Sequence, residues 1–209
     1  EIRLSLVGSE MCIRDRINLS KDYPKHFGDA YWVWAPQTIY DRKAKKYMIY
    51  FTLQRNDRKS LITYYAYANK DFTGFESDPK QLFSAKYGSI DNDIIEKDGT
   101  YHLFYKGNTK DENGKEIKNG IQQATSKSLK GKWKEDFKYL DAYAGKTPVE
   151  GSSIFKLNGK DEYVLMYDMY TSGRYEYQTS TDLYHFSEPK AFTKDFFPRH
   201  GCLLYTSDA

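Results

Sequence analysis

The chain has 209 residues, with 32 Lys and Arg against 29 Asp and Glu, and a formal net charge of +3. The basic residues are scattered rather than gathered in a stripe, so nucleic acid is not an expected partner, and no apolar run approaches the about 18 residues of a membrane span. An aromatic content of 17%, including 20 Tyr and 12 Phe, favours strands over helices and argues against disorder.

In chain order, Glu1 to Arg16 reads EIRLSLVGSEMCIRDR and carries no alternating apolar pattern. Its SLVGSEMCIRDR run resembles translated sequencing adapter, as does the C-terminal CLLYTSDA. Residues 1–16 and 202–209 are therefore expected to be non-native tails around a domain at 17–201. Cys12 and Cys202 fall in those tails and indicate neither a disulfide framework nor a metal site. Asp22 and Asp29 follow, neither of them in an apolar strand context.

The first strong pattern is WAPQTIYDRKAKKYMIYF, from Trp34 to Phe51. It joins a polar start, an apolar pair, a polar turn and an alternating aromatic run, which is hairpin chemistry. Trp32 and Trp34 alternate with Val33, so both indoles share a face of this strand. The companion segment AYANKDFTGF ends at Phe75.

The same arrangement returns twice. SIDNDIIEKDGTYHLFYKG runs from Ser89 to Gly107 and is followed by QATSKSLKGKW, ending at Trp133. VEGSSIFKLNGKDEYVLMYD runs from Val149 to Asp168 and is followed by QTSTDLYHF, ending at Phe186. The Lys-rich GKWKEDFK stretch reads as a solvated edge strand. A period of roughly 50–60 residues with about four strands per unit marks propeller blades, whereas a sandwich need not repeat one pattern three times. The expected fold is all-β: a partial five-bladed β-propeller of about three to three and a half blades, each of four antiparallel strands. An open arc of this kind should leave two sheet faces uncovered.

In a propeller the first strand of each blade lines the central channel. Pro36-Gln37, Ile90-Asp91 and Val149-Glu150 are expected at equivalent points there, so Asp91 and Glu150 should converge on one channel mouth. Taken singly, Asp91 suits a turn and Glu150 suits a pair with a nearby Lys or Arg.

WAPQ with IYD, SIDNDII with DGTYHLFYKG, VEGSSIFK, STDLYHF and the RHG at Arg199–Gly201 together resemble glycoside hydrolase family 43, with its arabinanase, xylosidase and invertase-like relatives. The resemblance implies an inverting hydrolase acting on arabinofuranosides or xylosides of plant-type polysaccharides, in a periplasmic or extracellular setting. It implies three carboxylates, of which Glu150 maps onto the general acid and Asp91 onto the residue that tunes it. The general base should lie upstream of Trp34, where Asp22 and Asp29 fit poorly, so the chain is expected to lack it.

His200 maps onto a histidine deep in the channel that holds a cation, such as calcium, or a water; no cofactor is otherwise required. Trp34, Gln37, Asp93 and Arg174 are candidate sugar-binding residues. An alternative is a carbohydrate-binding propeller that does not cleave, or a fructoside- or mannoside-active enzyme of the same fold. The EG motif, rather than EC, speaks against fructosidases.

Overall fold

The computed structural model describes residues 18–58, 61–107, 113, 120–141, 143 and 146–192. Both proposed tails and His200 lie outside the described residues. Two short helices open the described chain, α1 (Leu19–Asp22) and α2 (Pro24–Phe27). Twelve strands follow: β1 (Ala30–Asp41), β2 (Lys46–Arg55), β3 (Leu61–Tyr67), β4 (Lys80–Phe83), β5 (Ser89–Lys97), β6 (Thr100–Gly107), β7 (Ile121–Ser126), β8 (Lys134–Tyr139), β9 (Glu150–Lys156), β10 (Tyr163–Met169), β11 (Arg174–Ser180) and β12 (Lys190–Ala191).

Among the described residues the strands form three antiparallel sheets of four, ordered β1-β2-β3-β4, β5-β6-β7-β8 and β9-β10-β11-β12. Each sheet is a meander whose strands neighbour in sequence order, which is the expected blade. The turns use the chemistry the sequence offers. Asp98 and Gly99 both have positive φ, 50° and 72°, as a two-residue hairpin turn between β5 and β6 requires. Asp41 Oδ1 accepts from the amides of Lys43 and Ala44, each at 3.0 Å, to hold the β1–β2 turn. The Lys-rich stretch forms β8, the outer strand of its sheet, with Lys134 and Lys138 exposed.

The second strand of each blade is apolar on both faces because it serves two cores. In β2, Met48 and Tyr50 face the core shared with the second blade, while Ile49, Phe51 and Leu53 face outward. In β6, Leu103 and Tyr105 join the first of these cores and Phe104 joins the next. In β10, Tyr163, Leu165, Tyr167 and Met169 face the second blade, while Val164 and Met166 turn to the far side. Period-two alternation thus assigns successive residues to opposite interfaces.

The outward face of the first blade is covered, contrary to the expectation for an open arc. Leu19 and Phe27 of the two helices are buried against Ile49, Phe51 and Leu53. Phe27 meets Tyr64 edge-on with centroids 5.2 Å apart. A reciprocal cap fixes α1: the Asn18 side chain accepts from Lys21 N at 3.1 Å, and Asp22 Oδ2 accepts from Asn18 N at 2.7 Å. Pro24 opens α2 at a position where a missing N–H costs nothing.

Candidate active site at the channel mouth

Each first strand is interrupted by a bulge at the same place. Trp34 pairs with Thr52 and Gln37 with Tyr50; Ile90 pairs with Lys106 and Asp93 with Phe104; Glu150 pairs with Asp168 and Ser153 with Met166. In each case two residues oppose one, and the first of the two is left-handed: Ala35 with φ 42°, Asp91 with φ 54° and Gly151 with φ 66°. Bulges of this kind bend the strand and re-aim its side chains.

The register corrects one sequence expectation. Asp91 is equivalent to Gly151 and Ala35, not to Glu150. Glu150 is equivalent to Ile90 and Trp34, and Gln37 to Asp93 and Ser153. The offset between Asp91 and Glu150 is one residue.

Asp91 and Glu150 nonetheless come together. The left-handed backbone at Asp91 turns its buried carboxylate toward β9, where Oδ2 accepts from Gly151 N at 2.9 Å. Its main-chain carbonyl accepts from Ser152 Oγ at 2.5 Å. The residue beside Glu150 is therefore held by Asp91 across the blade boundary.

Glu150 itself is paired with Lys106 of β6, Oε2 to Nζ 2.9 Å, with side chains only 15% and 13% exposed. The same ammonium lies 4.8 Å from the centre of the Tyr170 ring. Lys106 and Tyr170 were not among the sequence candidates. A Lys at the end of the YHLFYKG strand was the visible signal, but its partner lies in another blade.

The remaining candidates divide. Asp93 is buried, and its oxygens accept from Ile94 N at 2.9 Å, Ile154 N at 2.8 Å and Tyr50 Oη at 3.2 Å. Burial pushes its pKa up to about 6 against the opposing pull of those donors. Packed this way, Asp93 does not present its carboxylate to a sugar as the sequence suggested.

Trp34 is half-buried and stacks on Trp32 at 6.0 Å, and Trp32 is 40% exposed beside Tyr31. Gln37 is half-buried on β1. Arg174 opens β11, at the same end of its sheet as Glu150, and pairs with the buried carboxylate of Glu176, which also accepts from Tyr143 Oη at 2.6 Å. Asp22 is spent on the α1 cap and Asp29 on Arg55. Among the described residues, no group of three or more His, Cys, Asp or Glu is arranged to hold a metal ion.

A family model described as "Probable glycosyl hydrolase domain", related to glycoside hydrolase family 43, matches residues 15–209. No curated protein matches the chain. Among solved structures, a fructofuranosidase from Schwanniomyces occidentalis is similar with a TM-score of 0.67 at 13% identity, over 87% of this chain and 40% of that one. An endo-arabinase from Bacteroides thetaiotaomicron gives 0.50 at 18% identity, over 78% and 57%. A family-43 β-1,3-galactosidase in complex with galactodeoxynojirimycin gives 0.50 at 20% identity, over 69% and 41%. The chain thus spans about two fifths to three fifths of the length of these neighbours, which share its propeller-type fold.

Proposed function

The chain belongs to the glycosyl hydrolase domains related to family 43, and from that premise we propose that it carries the acid side of an inverting glycosidase. Glu150 is the general acid that protonates the leaving glycosidic oxygen. Asp91 orients it and tunes its hold on the proton. The observation that supports this reading is the Asp91 carboxylate bound to the amide of Gly151, the residue next to Glu150, across the blade boundary.

A glycosidic oxygen leaves poorly until protonated, so the acid must keep a proton near neutral pH. Asp91 works in that direction and Lys106 against it. Substrate that draws the Lys106 ammonium away from Glu150 would release the acid to be protonated. The substrates are arabinofuranosides or xylosides of plant-type polysaccharides, with the stacked pair of exposed Trp32 and half-buried Trp34 as a platform for an apolar sugar face. Gln37 and Arg174 remain proposed sugar contacts, and His200 a proposed channel ligand for calcium or water. Inversion also needs a base about 6.5–9.5 Å from the acid. We assign that role to neither Asp22 nor Asp29, and expect little or no turnover from the chain alone.

The test combines binding and turnover. Arabino- and xylo-oligosaccharides are titrated into the labelled protein while amide shifts are followed. Perturbation of Trp34, Asp91, Glu150 and Gly151 is expected, with binding kept in Glu150→Gln. Shifts confined to other surfaces, or none at millimolar sugar, would overturn the site. Where aryl glycoside cleavage is detected, Glu150→Gln should lower it about 10²- to 10⁴-fold; unchanged cleavage would remove Glu150 from the acid role. Sugar binding at the mouth of an otherwise active-site-complete parent that never cleaves would favour the binding-module alternative.

A further inference from the structure

Asp93 touches three blades at once. It lies on β5 of the second blade, receives the Tyr50 hydroxyl from β2 of the first, and receives the Ile154 amide from β9 of the third. Tyr50 Oη also accepts from Ile94 N at 3.1 Å, so one phenol ties the first blade to both the side chain and the backbone of β5. The inner strand of a blade has one edge paired to its own sheet and the other left toward the channel. Along β9 that second edge is satisfied within its bulge and just beyond it: Asp91 takes Gly151 N and Asp93 takes Ile154 N.

We propose that Asp93 is a positioning residue that clamps the three blades together and fixes the path of β9, the strand that presents Glu150. The family role of Asp91 does not require it, and the clamp depends on the acid assignment only in naming what it positions. The first consequence is local. Loss of the Asp93 acceptor frees Ile154 N and loosens β9 without touching the β2–β3 pairing, which lies wholly in the first blade.

The second consequence is a response to pH. Burial raises the Asp93 carboxyl, and Ile154 N, the Tyr50 hydroxyl, Ile94 N and the Ser153 hydroxyl oppose that rise, Tyr50 being the titratable group among them. In the folded protein the Asp93 carboxyl titrates at about 6, against an ordinary value of 3.8. A raised carboxyl binds its proton more tightly in the folded state. Its stabilisation is therefore complete below pH 3.8 and is lost as pH rises through 6. Over that window the folding equilibrium should weaken about 100-fold from this group. The Tyr50 hydroxyl suits both states, donating to the carboxylate or accepting from the protonated acid.

Amide exchange is measured at Gly151, Ile154 and the β2–β3 ladder in Asp93→Ala, Asp93→Asn and Tyr50→Phe, with unfolding followed from pH 4 to 7. Asp93→Ala should speed exchange at Ile154 at least about tenfold and leave β2–β3 unchanged. Asp93→Asn keeps an acceptor for Ile154 but turns its Nδ2 toward Ile94 N, which Tyr50 Oη still accepts, so exchange at Ile154 should fall well below that of Asp93→Ala without fully regaining the wild-type rate. That variant should also lose the stability change between pH 4 and 6. Uniform acceleration across all sheets, no acceleration at Ile154, or failure of asparagine to rescue would each overturn the clamp. Should the alanine variant not fold, Asp93→Asn and Tyr50→Phe carry the test: asparagine must flatten the pH response, and phenylalanine must raise exchange at Ile94 and Ile154. None of these readings needs turnover, so they stand apart from the fate of Glu150 as an acid.

Discussion

The two blade junctions solve the same problem with different chemistry. Between the first and second blades, Asn92 Nδ2 donates to Thr52 and Thr63 at 2.7 and 3.0 Å, and Thr52 donates to the Ser89 carbonyl at 3.2 Å. These groups are neutral and buried. Between the second and third blades, carboxylates of Asp91 and Asp93 take backbone amides of β9, and Lys106 pairs with Glu150. The first junction is a fixed support. Tyr50 also reaches Asp93 across that junction, but the second junction gathers Asp91, Lys106 and Glu150 as well, and so offers more groups on which pH and ligand charge can act.

The largest break in that contrast should come from Lys106→Met. It strands the Glu150 carboxylate in a site only 15% exposed, at a cost of about 3 kcal/mol. Urea unfolding at pH 8 measures it, and the cost should shrink as pH falls and Glu150 takes a proton. The double variant Lys106→Met, Glu150→Gln should regain most of the loss.

Asp91→Ala comes next, at about 2 kcal/mol, because a buried amide loses a charged acceptor. It should also abolish the sugar-induced shifts at Glu150. Asn92→Ala, at the neutral junction, should cost about 1 kcal/mol, with no change in that cost between pH 4 and 8. A pH-dependent loss there would erase the distinction between the junctions. The smallest effect belongs to Trp32→Ala, below about 1 kcal/mol in stability because its ring is 40% exposed. Its loss should appear instead as weakened oligosaccharide binding.

The blades could be read from the sequence because their signal is local. YMIYF, YHLFY and YVLMY are continuous apolar runs, and two-faced burial between neighbouring cores makes them so. Glu150 and Asp91 stood out because a lone charge before an apolar strand is unusual, although their alignment slipped by one residue. The shared bulge that would have fixed the alignment has Ala35, Asp91 and Gly151 at its left-handed position, three residues with no common pattern. Lys106, Tyr170 and Tyr50 stayed hidden because each acts across a blade boundary, where spacing along the chain gives no distance. Asp93 looked like a sugar ligand for the same reason: its partners Tyr50 and Ile154 lie 43 and 61 residues away.

The left-handed backbone at Asp91 is one that glycine adopts more readily than aspartate. Aspartate and glycine codons differ by a single base. One point mutation can therefore delete the carboxylate while leaving the strand free to follow the same path. The Gly151 amide would then lose its acceptor, so such a change would be felt in how firmly β9 is held rather than in the shape of the bulge.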